Sequence, residues 1–135
     1  MNVFAMKFQK TAVKLESIIG YSFRDRHNLL LALTHSSFSN ERHIGLVENN
    51  ERLEFLGDAV LNLVISSKLF KEQNVPEGDM TKMRAQIVCE ASLEKCSLEI
   101  GLGEFLLLGK SEEISGGRQR TSILSDAFEA LIGAI

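Results

Sequence analysis

Apolar residues return every three or four positions along almost the whole 135-residue chain. Phe8, Ala12, Leu15 and Ile19 make one such stripe, closed by Gly20, and Leu29, Leu30 and Leu33 make a second. Side chains return to one face of an α-helix every 3.6 residues and to one face of a strand every two. No longer stretch alternates with period two, so the pattern specifies helices and leaves no sheet to build. With a single proline, Pro76, and no Gly/Ser-rich linker or internal repeat, nothing marks a domain boundary. The expectation is one all-α domain spanning residues 1–135.

Two polar stretches interrupt the periodicity, residues 36–50 and 109–122, and both read as loops. The first ends in Asn49 and Asn50, good N-cap residues for a following helix, and the second ends in Ser122, a candidate cap for the last helix. "VPEGDMTKMRAQIV" reads as a turn into a helix, and "ASLEKCSLEIG" as a helix closed by Gly101. The sequence stops at Ile135 inside the apolar run "ILSDAFEALIGAI", without a capping glycine or a polar exit, and reads as a fragment cut within a helix.

No apolar run approaches the roughly 20 residues of a membrane helix, and the N-terminus mixes charge into its apolar residues too early for a signal peptide. A cytoplasmic protein with no membrane partner is the expectation. Cys89 and Cys96 lack zinc-ligand spacing and read as reduced, buried small residues; His27, His35 and His43 form no zinc pair either.

The segment "NNERLEFLGDAVLNLVI", residues 49–65, sets apolar side chains around most of a helix yet carries Glu51, Glu54 and Asp58. On a helical wheel Asp58 lies about 40° and Glu51 about 60° from Glu54, while Leu53, Leu56, Val60 and Leu63 fall opposite. Leu61 and Ile65 return to the acidic side, so this helix is expected to run through the interior with its leucine stripe packing the fold. From Ile123 to Ile135 the only polar side chains are Ser125, Asp126 and Glu129, the two acids again sharing a face. Desolvating clustered carboxylates costs several kcal/mol unless protons or cations neutralise them. Arg52 points about 160° away from Glu54, and the last helix holds no Lys or Arg. Divalent metal is therefore favoured over salt bridges, and an all-oxygen donor set suits Mg²⁺, with Mn²⁺ as a substitute. Such a centre points to phosphodiester hydrolysis with water as the nucleophile. The net charge of −3 does not oppose an RNA partner, because setting aside Glu54, Asp58, Asp126 and Glu129 turns it to +1.

"NERLEFLGDAVL" resembles the signature of ribonuclease III, and "ALTHSSF", "PEGDMTKMRAQIV" and "SGGRQRTSILSDAFEALIGAI" are similar to further blocks of that family in the same order. The resemblance covers almost the whole chain and is to the catalytic domain of the bacterial type. It implies an all-helical, homodimeric endonuclease fold that cleaves double-stranded RNA with Mg²⁺ in rRNA and mRNA processing. Each subunit would cut one strand, leaving 5′-phosphates, 3′-hydroxyls and two-nucleotide 3′ overhangs. It also implies a following double-stranded-RNA-binding domain, which this sequence lacks.

Position by position, Glu54, Asp58, Asp126 and Glu129 match the family's metal-binding carboxylates, with Asp58 and Glu129 the pair called catalytic. Glu51 matches a further acidic position, expected to act behind the ligands. Phe55 matches the aromatic that enters a socket on the other subunit. Lys82, Arg84, Lys110, Arg118 and Arg120 are candidate RNA contacts, with Lys110, Arg118 and Arg120 favoured as a group. Ser36, Gln119 and Ser125 depart from residues common at those positions. The chief rival is a non-catalytic RNA-binding protein on the same fold; others are a nucleotide phosphohydrolase and a metal-free interaction module.

Overall fold

Helix α8 (Thr121–Ala134) is the element around which the others assemble. Ile123, Leu124, Ala127, Ala130, Leu131 and Ala134 are all buried, so its apolar surface faces neighbours on more than one side. The computed structural model describes residues 3–45 and 48–135. Its helices are α1 (Val3–Ile19), α2 (Arg26–Ala32), α3 (Ser36–Arg42), α4 (Glu51–Glu72), α5 (Glu77–Ile87), α6 (Glu90–Glu99), α7 (Lys110–Ile114) and α8, with short 3₁₀ turns at Leu102–Phe105 and Gly117–Gln119. Among the described residues no strand forms; a single parallel bridge joins Thr34 to Leu107. The all-α reading holds.

α8 packs most extensively against α4, then α6, then α2. Leu15, Leu29, Leu33, Leu102, Leu106 and Leu124 are fully buried in the same core. Each removes a whole side chain from water, worth about 1.5–3 kcal/mol. α1 joins this core through Ala12 and Leu15. It is also tied by a buried carboxylate: Glu16 accepts from the Phe23 amide at 2.9 Å and pairs with Arg26 at 2.8 Å. That pairing holds the Glu16 carboxyl below its usual range, chiefly through the Arg26 hydrogen bond. Gly20 (φ 68°) and Gly101 (φ 65°) adopt the left-handed conformation that ends α1 and the turn after α6, where any other residue is strained.

Both polar stretches contain helices that the sequence reading leaves as loops. Within 36–50, α3 is capped by the His35 side chain, which accepts from Ser37 N, and ends at His43 with φ 53°. Positions 46 and 47 lie outside the described residues. Within 109–122, α7 starts where Gly109 N donates to Ser37 Oγ at 2.9 Å and Lys110 N to Glu41 at 2.6 Å. The first stretch thus caps the helix of the second across 72 residues of sequence, and helices of seven and five residues are too short to show a period.

The caps differ as well. Asn49 Oδ1 accepts from Glu51 N at 3.0 Å, whereas Asn50 makes no side-chain cap and donates to the Ala32 carbonyl. α8 begins at Thr121 with no side-chain cap, so Ser122 falls inside it. Cys96 is half-buried, but Cys89 is exposed at the start of α6, correcting the buried reading.

The larger correction concerns α4. Its leucine stripe is split: Leu53 packs against the core and Val60 is half-buried, whereas Leu56 and Leu63 are exposed, as is Phe55, and only Gly57 and Leu69 of α4 are buried. α4 approaches α8 most closely at Gly57 and leaves Phe55, Leu56, Leu63 and Phe70 exposed.

Candidate metal centre

The backbones of α4 and α8 come nearly into contact where they cross. A Cβ placed on Gly57 would overlap the Glu129 carbonyl oxygen and lie 3.0 Å from the Gly133 amide nitrogen; one placed on Gly133 would overlap the Leu53 carbonyl oxygen. Glycine at both positions permits an approach closed to any side chain. The crossing sets the acidic face of α4 against that of α8. Carboxylate oxygens of Glu54, Asp126 and Glu129 all lie within 4.8 Å of one another.

No ion pair among the described residues reaches this cluster; those that form join Glu16, Glu72, Glu112 and Glu113 to their partners. The electrostatic consequence is visible in all three acids. Burial, then the charges of Asp58, Glu54 and Asp126, push Glu129 up to about 7. Glu54 is raised by burial and by Asp126, Glu51 and Asp58, and Asp126 by burial and by Glu90, with His35 opposing. Three half-buried oxygen donors that repel one another fit a hard divalent cation, which would satisfy them together.

Asp58 stands beside this group rather than in it. It is exposed, and its Oδ1 accepts from Asn62 Nδ2 at 3.0 Å, a contact that fixes its direction. Glu51 is exposed too, and its charge helps to raise Glu54.

Sequence reading missed Glu90, at the first turn of α6, which the packing of α6 on α8 brings within electrostatic range of Asp126. It missed His35 similarly. Nothing local marks either residue, because their proximity comes from packing between distant segments. The i, i+4 spacing of Asp58 and Asn62 was a legible signal for the Asn62 contact.

The basic candidates divide. Lys82 and Lys110 are exposed. Arg84 is half-buried and donates to Ser66 Oγ at 2.8 Å. Arg118 spends its guanidinium internally, on the Gly103 and Leu106 carbonyls at 2.8 Å each and on Glu113 at 2.5 Å. Arg120 pairs with Glu112 and reaches Ser115. The two loop arginines thus brace the segment leading into α8.

The raised acids give a direct test. Glu129 is protonated in the folded chain from the ordinary 4.5 up to about 7, so the folded state there holds more protons than the unfolded one. Stability should therefore fall as pH rises through that window. In EDTA the melting temperature is expected to be higher at pH 5.5 than at pH 8, with a smaller difference in Glu129→Gln. Mg²⁺ at pH 8, at about 100 times its Kd, should restore about 2.7 kcal/mol. Equal melting curves at both pH values, with and without Mg²⁺, would count against the centre.

An all-helical domain with three carboxylates converging from two crossed helices is the class this fold and site define. The family described as Ribonuclease-III-like matches residues 25–135. The chain is 57% identical over 122 residues to the ribonuclease 3 of Caldanaerobacter subterraneus subsp. tengcongensis, covering 90% of this chain and 53% of that protein. It is 49% identical over 136 residues to ribonuclease 3 of Staphylococcus aureus strain JH9, covering 100% and 54%. A solved nuclease domain of the Campylobacter jejuni ribonuclease III superposes with a TM-score of 0.82 at 50% identity, covering 90% of this chain and 82% of that one. The chain belongs to the ribonuclease-III-like family. It spans about half the length of these curated relatives.

Proposed function

We propose that this chain is the catalytic part of a divalent-metal-dependent endoribonuclease that hydrolyses double-stranded RNA. The observation that carries this reading is the convergence of Glu54, Asp126 and Glu129, outside every ion pair among the described residues, in a member of this family. These three residues would hold Mg²⁺, or Mn²⁺ in its place. A cation bound there lowers the pKa of water and stabilises charge on the leaving oxygen.

The chain's own residues supply the rest. Asp58, which accepts a hydrogen bond from Asn62 and lies outside the three-way group, would take a proton from an attacking water. Glu129 belongs to both sets through its proximity to Asp58, matching the catalytic pair that the family resemblance assigns. Glu51 and Glu90 add negative potential around Glu54 and Asp126, strengthening cation attraction. Exposed Lys82 and Lys110 suit phosphate contacts, which position a duplex by shape without reading its sequence. Water attack that breaks the bond from phosphorus to O3′, with a proton going to the departing 3′-oxygen, would leave the 5′-phosphate and 3′-hydroxyl ends that the family resemblance implies. A cytoplasmic setting fits these bacterial relatives; among the described residues no helix is long and apolar enough to cross a membrane.

The test is a substrate screen in Mg²⁺ and in EDTA. Duplex RNA should be cut only with metal, while single-stranded RNA, duplex DNA and nucleoside triphosphates stay intact. Hydrolysis of the triphosphates, or duplex cleavage in EDTA, would overturn the reading.

A second copy of the chain is the proposed partner for the open face of α4. Phe55 is 83% exposed, Leu63 70% and Phe70 76%, a large apolar surface of the kind that marks an interface. A cavity of about 650 Å³ beside Phe55 is lined by Leu31, Leu53 and Leu56 among others. In a two-fold dimer each Phe55 would enter the other copy's cavity. The Campylobacter jejuni nuclease domain itself has a region involved in dimer formation. Phe55→Glu should weaken the dimer by at least about 30-fold in sedimentation equilibrium, as loss of a central aromatic anchor does; an unchanged dimer would refute the assignment.

A further inference from the structure

α1 lies ahead of the region matched by the family, which begins at residue 25, and it has two distinct faces. Its inner face is spent on the core and on the Glu16–Arg26 pair. Its outer face carries Lys7, Lys10 and Lys14, which fall within about 60° of one another on the helical wheel and span about 10 Å along the axis. All three are exposed, and none has an acidic partner among the described residues. In a chain of net charge −3 this is a segregated basic row.

The row borders a cavity of about 280 Å³ walled by Phe4, Phe8, Phe38 and Phe105, with Lys7 and Arg42 at its edge. Arg42 lies over the Phe38 ring at 4.7 Å from its centroid, and Lys14 over Phe105 at 5.6 Å. Glu104 is the one carboxylate lining it, while Arg118, also present, is committed to Glu113 and two carbonyls. Small-ligand sites occupy roughly 300–1,000 Å³, so this cavity suits one flat ring. Aromatic walls with stacked and free cations are the recurrent chemistry for unpaired bases, whose faces can stack while basic side chains track the backbone. A duplex cannot use it, since its bases are already stacked.

From this geometry we propose that the Phe4–Phe38–Phe105 cavity and the α1 lysine row bind single-stranded RNA, one base entering the cavity and its phosphates following Lys7, Lys10 and Lys14. The partner's identity as RNA rests on the ribonuclease reading, but the binding itself requires no cleavage.

The experiment is fluorescence anisotropy of a labelled single-stranded RNA decanucleotide with the protein in EDTA at low salt, with metal-dependent duplex cleavage measured separately. The wild type should bind, and Lys7→Ala/Arg42→Ala should weaken binding about tenfold or more, with duplex cleavage retained. Phe38→Leu, which keeps an apolar side chain and removes the ring, should weaken it several-fold. Adenosine monophosphate should compete at least tenfold less well than the decanucleotide; equal competition shows a free-nucleotide site and overturns the strand assignment. A comparable loss in Lys68→Ala, a surface cation outside the patch, shows non-specific attraction and overturns it too. Binding to anionic phospholipid vesicles in preference to the decanucleotide overturns it in favour of a membrane surface. Intact duplex cleavage with no strand binding refutes this inference alone, and absent cleavage with strand binding refutes only the nuclease reading.

Discussion

Glu129→Gln is expected to lower duplex RNA cleavage by about 10² to 10³ or more, while making the metal-free chain more stable at pH 8. The two effects oppose each other for one physical reason. Glu129 is pushed up to about 7 because burial and the neighbouring charges of Asp58, Glu54 and Asp126 disfavour its ionised form. Glutamine keeps the shape and removes the charge, so it relieves that repulsion in the folded state. It also replaces one of the three converging carboxylates by a neutral, weaker donor and removes the acid of Glu129 from beside Asp58. A residue that only held the fold together would lose stability along with activity. The readouts are gel-resolved cleavage in Mg²⁺, duplex binding by filter retention, and melting in EDTA. Cleavage within a few-fold of wild type would sink the assignment, and retained binding with lost cleavage is the expected pattern.

Much of this centre was legible in the sequence because helices report their own faces. The pairing of Glu54 with Asp58, and of Asp126 with Glu129, follows from spacing alone, as does the absence of a nearby cation on either helix. Spacing within a helix says nothing of which side another helix will choose, and that limit accounts for the main error. The all-round apolarity of residues 53–65 suggested interior burial, but burial by the same chain and burial by a second copy write the same pattern. The stripe of Leu56 and Leu63 was read as core and lies open. Arg118 shows the opposite limit: a surface-type residue in a polar segment became an internal brace because Glu113 and two carbonyls lie within its reach. α3 escaped because seven residues are too short to show a period, and α7 also because its start is capped by partners far away in sequence, such as Ser37 beneath Gly109.

Gly57→Ala is expected to destabilise the chain by about 3 kcal/mol or more and to disassemble the centre. A methyl group at this position has no flexible neighbour to displace, since it meets the Glu129 carbonyl oxygen and carbon and the Gly133 amide, all backbone. Overpacking against side chains costs typically about 1–3 kcal/mol because rotamers adjust; against backbone the two helices must separate, losing the packing of the most extensive contact in the fold. Helix propensity works the other way, favouring alanine by about 1 kcal/mol in an isolated helix, so a net loss measures the crossing itself. Separation also carries Glu54 and Asp58 away from Asp126 and Glu129. The burial and mutual repulsion that together hold Glu129 near 7 should then relax, and the pH dependence of melting between 5.5 and 8 should flatten together with the Mg²⁺ response. Gly133→Ala, which would strike the Leu53 carbonyl from the other side, should reproduce both effects. Gly78→Ala on α5, where an added Cβ meets nothing within 4 Å, should produce neither. Urea melts of the three variants at two pH values, with and without Mg²⁺, decide the point. Wild-type stability in Gly57→Ala would show that the α4–α8 approach is not the one that assembles the carboxylates.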